Sequence, residues 1–307
     1  MMLSFRVATF QDRVQSFENI FDVWRSSDDF AEHVNLRLAS IHHQRADFCV
    51  GVGEERVEVS LASFPFELLL ADSVVPTSFI GCVHTISESR GKGYARQLMD
   101  WTEQFESARG TSISLLFSDI KPEYYSRLGY QLCPAHNGLI DIGSTEVRDD
   151  SIVLEEFRLK ENLDWVSNCY NHAHAHLDAY VHRSEFYWWF LTKKDPYDKY
   201  FAINQNGKRT GFVRMKDEGI RWKLRDCSIG SLSAEDYDRA IDGIVSYFTN
   251  SKCKEVYGWF PKTDVLADRI EISERPDEIT MIKSLGDITI DEKLKTSLDY
   301  LHEIDHV

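Results

Sequence analysis

The stretch Arg90-Gly91-Lys92-Gly93-Tyr94-Ala95-Arg96 decides the reading of this chain. It follows an apolar run, Phe79 to Ile86, that reads as a strand ending in polar Ser87-Glu88-Ser89. It opens a segment in which Tyr94, Leu98, Trp101, Phe105 and Ala108 recur at spacings of four, three, four and three, the apolar face of a helix. Gly110 is placed to end that helix. A strand that enters a helix through a glycine-rich turn is an anion site. The first-turn amides have no intrahelical acceptor, they point outward together, and the helix dipole adds positive potential. Gly91 and Gly93 have no Cβ to hold a phosphate away from the backbone. Arg90, Lys92 and Arg96 set three cations around the turn in a chain whose net charge is −15. A solvated surface turn would share the glycines, but the strand before it and the helix after it favour a pyrophosphate.

Working outward, Phe48 to Val52 and the alternating Val57, Val59 and Leu61 read as a hairpin about Gly53-Glu54-Glu55. Phe64-Pro65-Phe66 predicts an irregularity, since proline removes a ladder donor. Phe17 to Trp24 has helical spacing. Downstream, Ile113 to Phe117 reads as a buried strand, and Pro122 opens a short helix with Tyr125 and Leu128 on its inner face and Gly129 at its end. Pro134 to Asp150 is rich in turn residues, which sets expected domains at 1–145 and 146–307. The second half repeats the order. A mostly helical stretch, Leu163 to Leu191, precedes a hairpin about Asn206-Gly207, a strand with Ile220, Trp222 and Leu224, a helix capped by Ser233, and a strand from Val256 to Phe260. The expected fold class is therefore α/β (α+β), two domains in tandem, each a mixed, mostly antiparallel sheet flanked by helices.

Arg90-Gly91-Lys92-Gly93-Tyr94-Ala95 resembles the R/Q-x-x-G-x-G/A motif of the GCN5-related N-acetyltransferases, the GNAT superfamily. Ser118-Asp119, followed by Tyr124-Tyr125-Ser126-Arg127-Leu128-Gly129-Tyr130, is similar to that superfamily's second motif. Val50 to Pro134 also resembles the enhanced-intracellular-survival (Eis-like) group, which carries two such domains. The resemblance implies an acetyl-CoA-dependent N-acetyltransferase and no metal. It implies that the strand segment Val83-His84-Thr85 pairs with the pantetheine arm, chiefly through Val83 and Thr85. Arg90, Gly91, Lys92, Gly93, Tyr94, Ala95 and Arg96 would hold the pyrophosphate, and Ser118 and Asp119 would line the coenzyme tail. Tyr125 matches the tyrosine that protonates the leaving thiolate, and the C-terminal carboxylate, here Val307, can act as base in that group. His84, Glu67 and a water relay are alternative bases. Chains of that group often assemble, which leaves a homo-oligomer open.

The second half is expected to be degenerate. Its corresponding turn, Gly230-Ser231-Leu232-Ser233, lacks the motif and leads into Glu235, Asp236 and Asp238, which would repel a phosphate. His172, His174 and His176 could bind a metal only with ligands that no helical spacing supplies, so they read as exposed histidines. Phe186-Tyr187-Trp188-Trp189-Phe190 reads as core or interface.

With 307 residues either half can bury a core without disulfides. The six cysteines form no CxxC pair and read as reduced and mostly buried. The acidic balance argues against nucleic acid and is compatible with a small amine substrate. No apolar run nears the roughly 20 residues that span a bilayer. The first residues lack the pattern of a signal peptide, so a cytoplasmic location and no membrane partner are expected. Two other functions share these features: a coenzyme A-binding sensor or scaffold that transfers nothing, and an acyltransferase using longer acyl groups or protein lysines.

Overall fold

The computed structural model describes residues 3–54 and 56–306. In chain order the elements are β1 (Ser4–Val7), α1 (Phe10–Asn19), α2 (Phe30–Ala39), α3 (Ile41–Gln44), β2 (Asp47–Val52), β3 (Val57–Leu70), β4 (Ser73–Thr85), α4 (Tyr94–Ala108), β5 (Ile113–Ser118), α5 (Glu123–Ser126) and β6 (Gln131–Leu132). There follow β7 (His136–Asp141), β8 (Ile152–Phe157), α6 (Leu163–His174), β9 (Ala179–Val181), α7 (Glu185–Lys194), β10 (Lys199–Gln205) and β11 (Lys208–Asp217). The chain continues through β12 (Arg221–Ile229), α8 (Ala234–Phe248), β13 (Glu255–Trp259), α9 (Asp264–Ala267), β14 (Glu271–Glu274), β15 (Ile279–Ser284) and α10 (Glu292–Ser297).

Two compact units result. The first runs to Leu132 and takes back Asp277–Ile290; the second holds Cys133–Pro276 and Asp291–His306. The boundary thus differs from a single cut after residue 145. β7 pairs antiparallel with β13 in the second unit, and β15 pairs antiparallel with β5 in the first. Ile279–Ser284 returns because Met281 and Ile282 are buried beside the apolar β5, which has no other neighbour on that side until β15 arrives.

The first unit's sheet is ordered β1-β2-β3-β4-β5-β15-β6. All its neighbours are antiparallel except β4 and β5. The second unit's sheet is ordered β14-β7-β13-β12-β11-β10-β8, again with one parallel pair, β12 and β13. Each parallel pair is joined by the helix between its strands, α4 or α8, as a parallel connection requires. α4 buries Tyr94, Leu98 and Met99 in the first core, with Val59, Leu61, Ile80 and Leu116. α8 buries Tyr237, Ile241, Ile244, Val245 and Phe248 in the second.

Three local expectations change. The first helix spans Phe10–Asn19, not Phe17 to Trp24, because Thr9 and Asp12 form a reciprocal capping box. β3 runs unbroken through Pro65, which faces Ser78 beyond β2's last pair, Asp47 with Ser63, so no β2 rung is lost. Leu163 to Leu191 breaks into α6, β9 and α7. No helix among the described residues is long and apolar enough to cross a membrane.

Candidate active site

β4 and β5 pair in parallel from Thr77 with Ile113 to Ile80 with Leu116, and there the ladder stops although β4 continues to Thr85. On its other side β4 bulges against β3. Ala62 faces Gly81 and Ser60 faces His84, so Cys82 and Val83 together oppose Leu61. Cys82 carries the bulge at φ 52. A bulge bends its strand and increases the local twist, and here β4 leaves β5 at that point. The gap is a cavity of about 190 Å³. Gly81, Cys82, Val83 and Thr85 form one wall, with Ala95 of α4. Phe117, Asp119, Ile120, Tyr124 and Tyr125 form the other.

The glycine turn adjoins this cavity, since Ala95 lies in the first turn of α4. Gly91 has φ 77 and Gly93, the N-cap, has φ 78. A Cβ on Gly91 would meet nothing within 4 Å, and one on Gly93 only Gln97 Nε2 at 3.9 Å. The glycines are therefore required by backbone conformation, and the space outside them is open. No side chain caps α4 and its first turn holds no acid, which leaves the leading amides without internal acceptors. Arg90, Lys92 and Arg96 are exposed around it. Arg90 Nε donates to the Thr85 carbonyl at 3.1 Å, and Lys92 Nζ to Ser89 Oγ at 3.3 Å. Ser89 in turn hydrogen-bonds Glu58, and that bond holds the Glu58 carboxyl below its usual range. Arg96 lies 3.9 Å from Asp100, both exposed. Tyr94 is buried in the core, so its backbone rather than its ring serves the turn.

Tyr125 is 8% exposed. Burial first, then Tyr124 and Asp119, push its phenol well above the usual tyrosine range. The group therefore stays protonated and can donate. Val83 and Thr85 line the cavity, whereas His84 does not. It is buried with its ring edge-on to Trp24 at 6.5 Å, and burial, then Arg90, lower its pKa. Ser118 Oγ donates to the Ile120 carbonyl at 2.8 Å and closes the turn after β5, so it lies behind the cavity rather than in its lining. Asp119 does line it. Glu67 is exposed opposite Pro76, outside the lining. Val307 lies outside the described residues. Sequence reading missed the bulge at Cys82 and the wall residues Trp24 and Ile120. Gly81 was the only local hint of the first, and nothing near Trp24 in sequence points to a cleft.

A parallel strand pair that parts beside a bulge and then leads into an open glycine turn decides the family of fold. The fold is that of the GNAT-superfamily acetyltransferases. Residues 4–133 match the family described as an acetyltransferase (GNAT) domain. Among curated proteins none matches the sequence. An Enterococcus faecalis protein described as a "Probable N-Acyltransferase" is similar in structure, with a TM-score of 0.72 at 14% identity over 96% of this chain and 74% of that one. So is a GCN5-related N-acetyltransferase from Anabaena variabilis, with a TM-score of 0.69 at 20% identity over 92% and 73%. Eis1 from Mycobacterium abscessus gives 0.61 at 14% identity over 92% and 74%.

The second unit repeats the GNAT arrangement and fills it differently. β12 and β13 pair from Arg221 with Glu255 to Leu224 with Gly258, then part, and β12 bulges at Arg225 against β11. After β12 the chain turns through Gly230 at φ 51 into α8, capped by Ser233. Asp236 accepts from the amides of Ser231 at 2.8 Å and Ser233 at 3.1 Å. A Cβ on Gly230 would lie 2.2 Å from Asp236 Oδ1. Burial raises the Asp236 pKa, but the Ser231 and Ser233 hydrogen bonds outweigh it and hold the carboxyl below its usual range. C-terminal residues lie against both strands where they part. His302 Nε2 is 3.3 Å from Asp226, Glu303 is 2.7 Å from Arg225, and His306 meets Trp259 edge-on at 5.9 Å. Arg183 joins Asp226 at 2.5 Å and Asp305 at 2.8 Å, all fully buried. His174, read as exposed, is buried and lies 2.9 Å from His302. It sits on the inner face of α6 with Tyr170, whose carbonyl is 2.8 Å from its Nδ1.

Proposed function

We propose that the chain is an N-acetyltransferase that moves an acetyl group from acetyl-CoA to an amine by direct attack, using the first unit's cleft. The observation that carries this reading is one cavity that joins the end of β4 that has left β5, the first turn of α4 and Tyr125. The pyrophosphate lies on the amides from Gly91 to Arg96 with Arg90, Lys92 and Arg96 beside it. The pantetheine arm pairs along Val83 and Thr85. The amine nitrogen attacks the thioester carbonyl, whose oxygen is polarised by a backbone amide of the bulged strand. The C–S bond breaks while the Tyr125 phenol donates a hydrogen bond to the departing sulfur, and the proton that the new amide nitrogen gives up to water or a base is the one the thiolate takes up. Because burial raises the phenol's pKa, full proton loss to a thiolate is uphill. Tyr125 therefore works by donating a strong hydrogen bond as charge develops on sulfur.

The net charge of −15 suits a cationic small amine. The second unit binds no coenzyme A, because the Asp236 carboxylate already engages the amides of its turn. Acetyl-CoA offered with polyamines, aminoglycosides and peptides, with release of free thiol as the readout, tests the proposal. Turnover with at least one amine class is expected. Coenzyme binding without turnover across the panel would reduce the protein to a binder and remove the enzymatic reading.

A further inference from the structure

A cavity of about 660 Å³ lies in the second unit among the end of β8, the start of α6, α7 and the loop that follows α7. That is the size of a small-molecule site, typically about 300–1,000 Å³. Its walls include Phe157, Leu159, Leu163, Pro196 and Trp189. Trp189 is 47% exposed and stacks at 5.6 Å on Phe186, which is 59% exposed. An aromatic pair that open to solvent beside an apolar cavity marks a binding surface.

Two polar residues in the lining are unusual. Tyr200 and Arg214 are direct cross-strand neighbours on β10 and β11, and both are buried. Arg214 Nε donates to Asp198 at 2.8 Å, and Nη2 to the carbonyls of Leu191 and Asp195 at 3.1 and 3.0 Å. Arg214 Nη1 and the Tyr200 hydroxyl have no hydrogen-bond partner among the described residues. Buried donors without partners are rare and costly. Three of the four lining acids are engaged elsewhere: Asp195 with Arg225 at 2.6 Å, Asp198 with Arg214, and Glu156 with Lys199 at 3.8 Å; the fourth, Glu185, is exposed in the first turn of α7 and has no ion pair among the described residues. Lys160 and Lys193, also in the lining, carry no ion pair among the described residues. Against the one unpaired acid, Glu185, the cavity thus sets apolar walls, two spare buried donors and two unpaired lysines.

We propose that this cavity is a second ligand site, which takes a small organic carboxylate with an aromatic or alkyl body. The carboxylate accepts from Arg214 and Tyr200 at the buried end, with Lys160 and Lys193 adding attraction, and the body lies against Phe157 and Trp189. A carboxylate matches a guanidinium better than any neutral group of the same shape. The site shares no residue with the first unit's cleft and does not depend on the acetyltransferase reading.

Calorimetry on the full chain with 3-phenylpropionate and with 3-phenylpropionamide, each with and without saturating coenzyme A, tests the site. The acid should bind about tenfold tighter than the amide, since only it forms the charge-assisted bonds, and coenzyme A should not displace it. Tyr200→Phe keeps the ring and should weaken the acid about tenfold while sparing the amide. Trp189→Ala, at an exposed position, should weaken both ligands about fivefold. Equal affinity for acid and amide, no binding of either at millimolar concentration, displacement by coenzyme A, or undiminished acid binding in both variants would each overturn the proposal.

Discussion

The two units build the same device and leave it in opposite states. In both, a parallel strand pair parts beside a bulge, and the chain turns through a glycine at positive φ into a helix. A helix N-terminus of this kind attracts an anion. In the first unit the space outside Gly91 and Gly93 is open and the first turn of α4 holds no acid. In the second, Asp236 lies against Gly230 and takes the amides of Ser231 and Ser233. The parted strands differ in the same sense. The gap between β4 and β5 is a cavity, whereas residues His302 to His306 lie against β12 and β13. Topology alone therefore does not decide whether such a turn is open to an anion. What counts is whether the protein supplies its own anion and its own chain to the places where phosphate and pantetheine would go.

The largest expected effect tests that contrast at the turn. Gly93→Val forces a β-branched residue to φ 78, in a region that costs L-residues roughly 1–2 kcal/mol each, and it redirects the amides of α4. Calorimetry should show one coenzyme A per parent chain and a loss of affinity beyond about 100-fold in the variant, while far-ultraviolet circular dichroism stays unchanged. Two equal coenzyme sites in the parent, or unchanged affinity in the variant, would break the comparison. Next comes Tyr125→Phe, which removes the donor and keeps the ring. It should lower kcat by about 10²–10⁴-fold and leave coenzyme affinity within about twofold. An equal drop in both quantities would mean that the residue only supports the fold.

The alternation of the halves, the glycine turn and the helix behind it were legible because each rests on local rules: spacing of apolar residues, positive φ at glycine, capping. The acids after Ser233 also signalled the closed turn, although only the structure singles out Asp236 from Glu235 and Asp238. What escaped depends on contacts between distant residues. β15 joins the first sheet across more than 150 residues, from Ser118 to Ile279. The bulge at Cys82 follows from the register against β3, which no single strand encodes. His174 reads as one of three surface histidines until His302, far along the chain, covers it.

A third test, read in stability and not in coenzyme affinity, concerns the second unit's buried ion network. Arg183 serves both Asp226 and Asp305, and all three side chains are at most 1% exposed. Arg183→Met leaves two buried carboxylates without their cation, a loss of about 3–5 kcal/mol. The denaturant midpoint of the second unit's transition should fall accordingly, with coenzyme affinity unchanged. An unchanged midpoint would mean that the C-terminal segment adds nothing to the closed state.

The smallest effect discriminates between the two helix N-termini most directly. Ser233 caps α8 by accepting from the Asp236 amide at 3.2 Å, and its own amide donates to the Asp236 carboxylate. Ser233→Ala removes only the hydroxyl, at a cost of about 1 kcal/mol in stability. It frees one amide, that of Asp236, but the Asp236 carboxylate still receives Ser231 N and Ser233 N, and it still fills the space beside Gly230. The coenzyme stoichiometry should therefore remain one per chain. A second coenzyme site in this variant would show that the cap, not the internal carboxylate, closes the turn. The difference between the units would then lie in a hydroxyl instead of a charge.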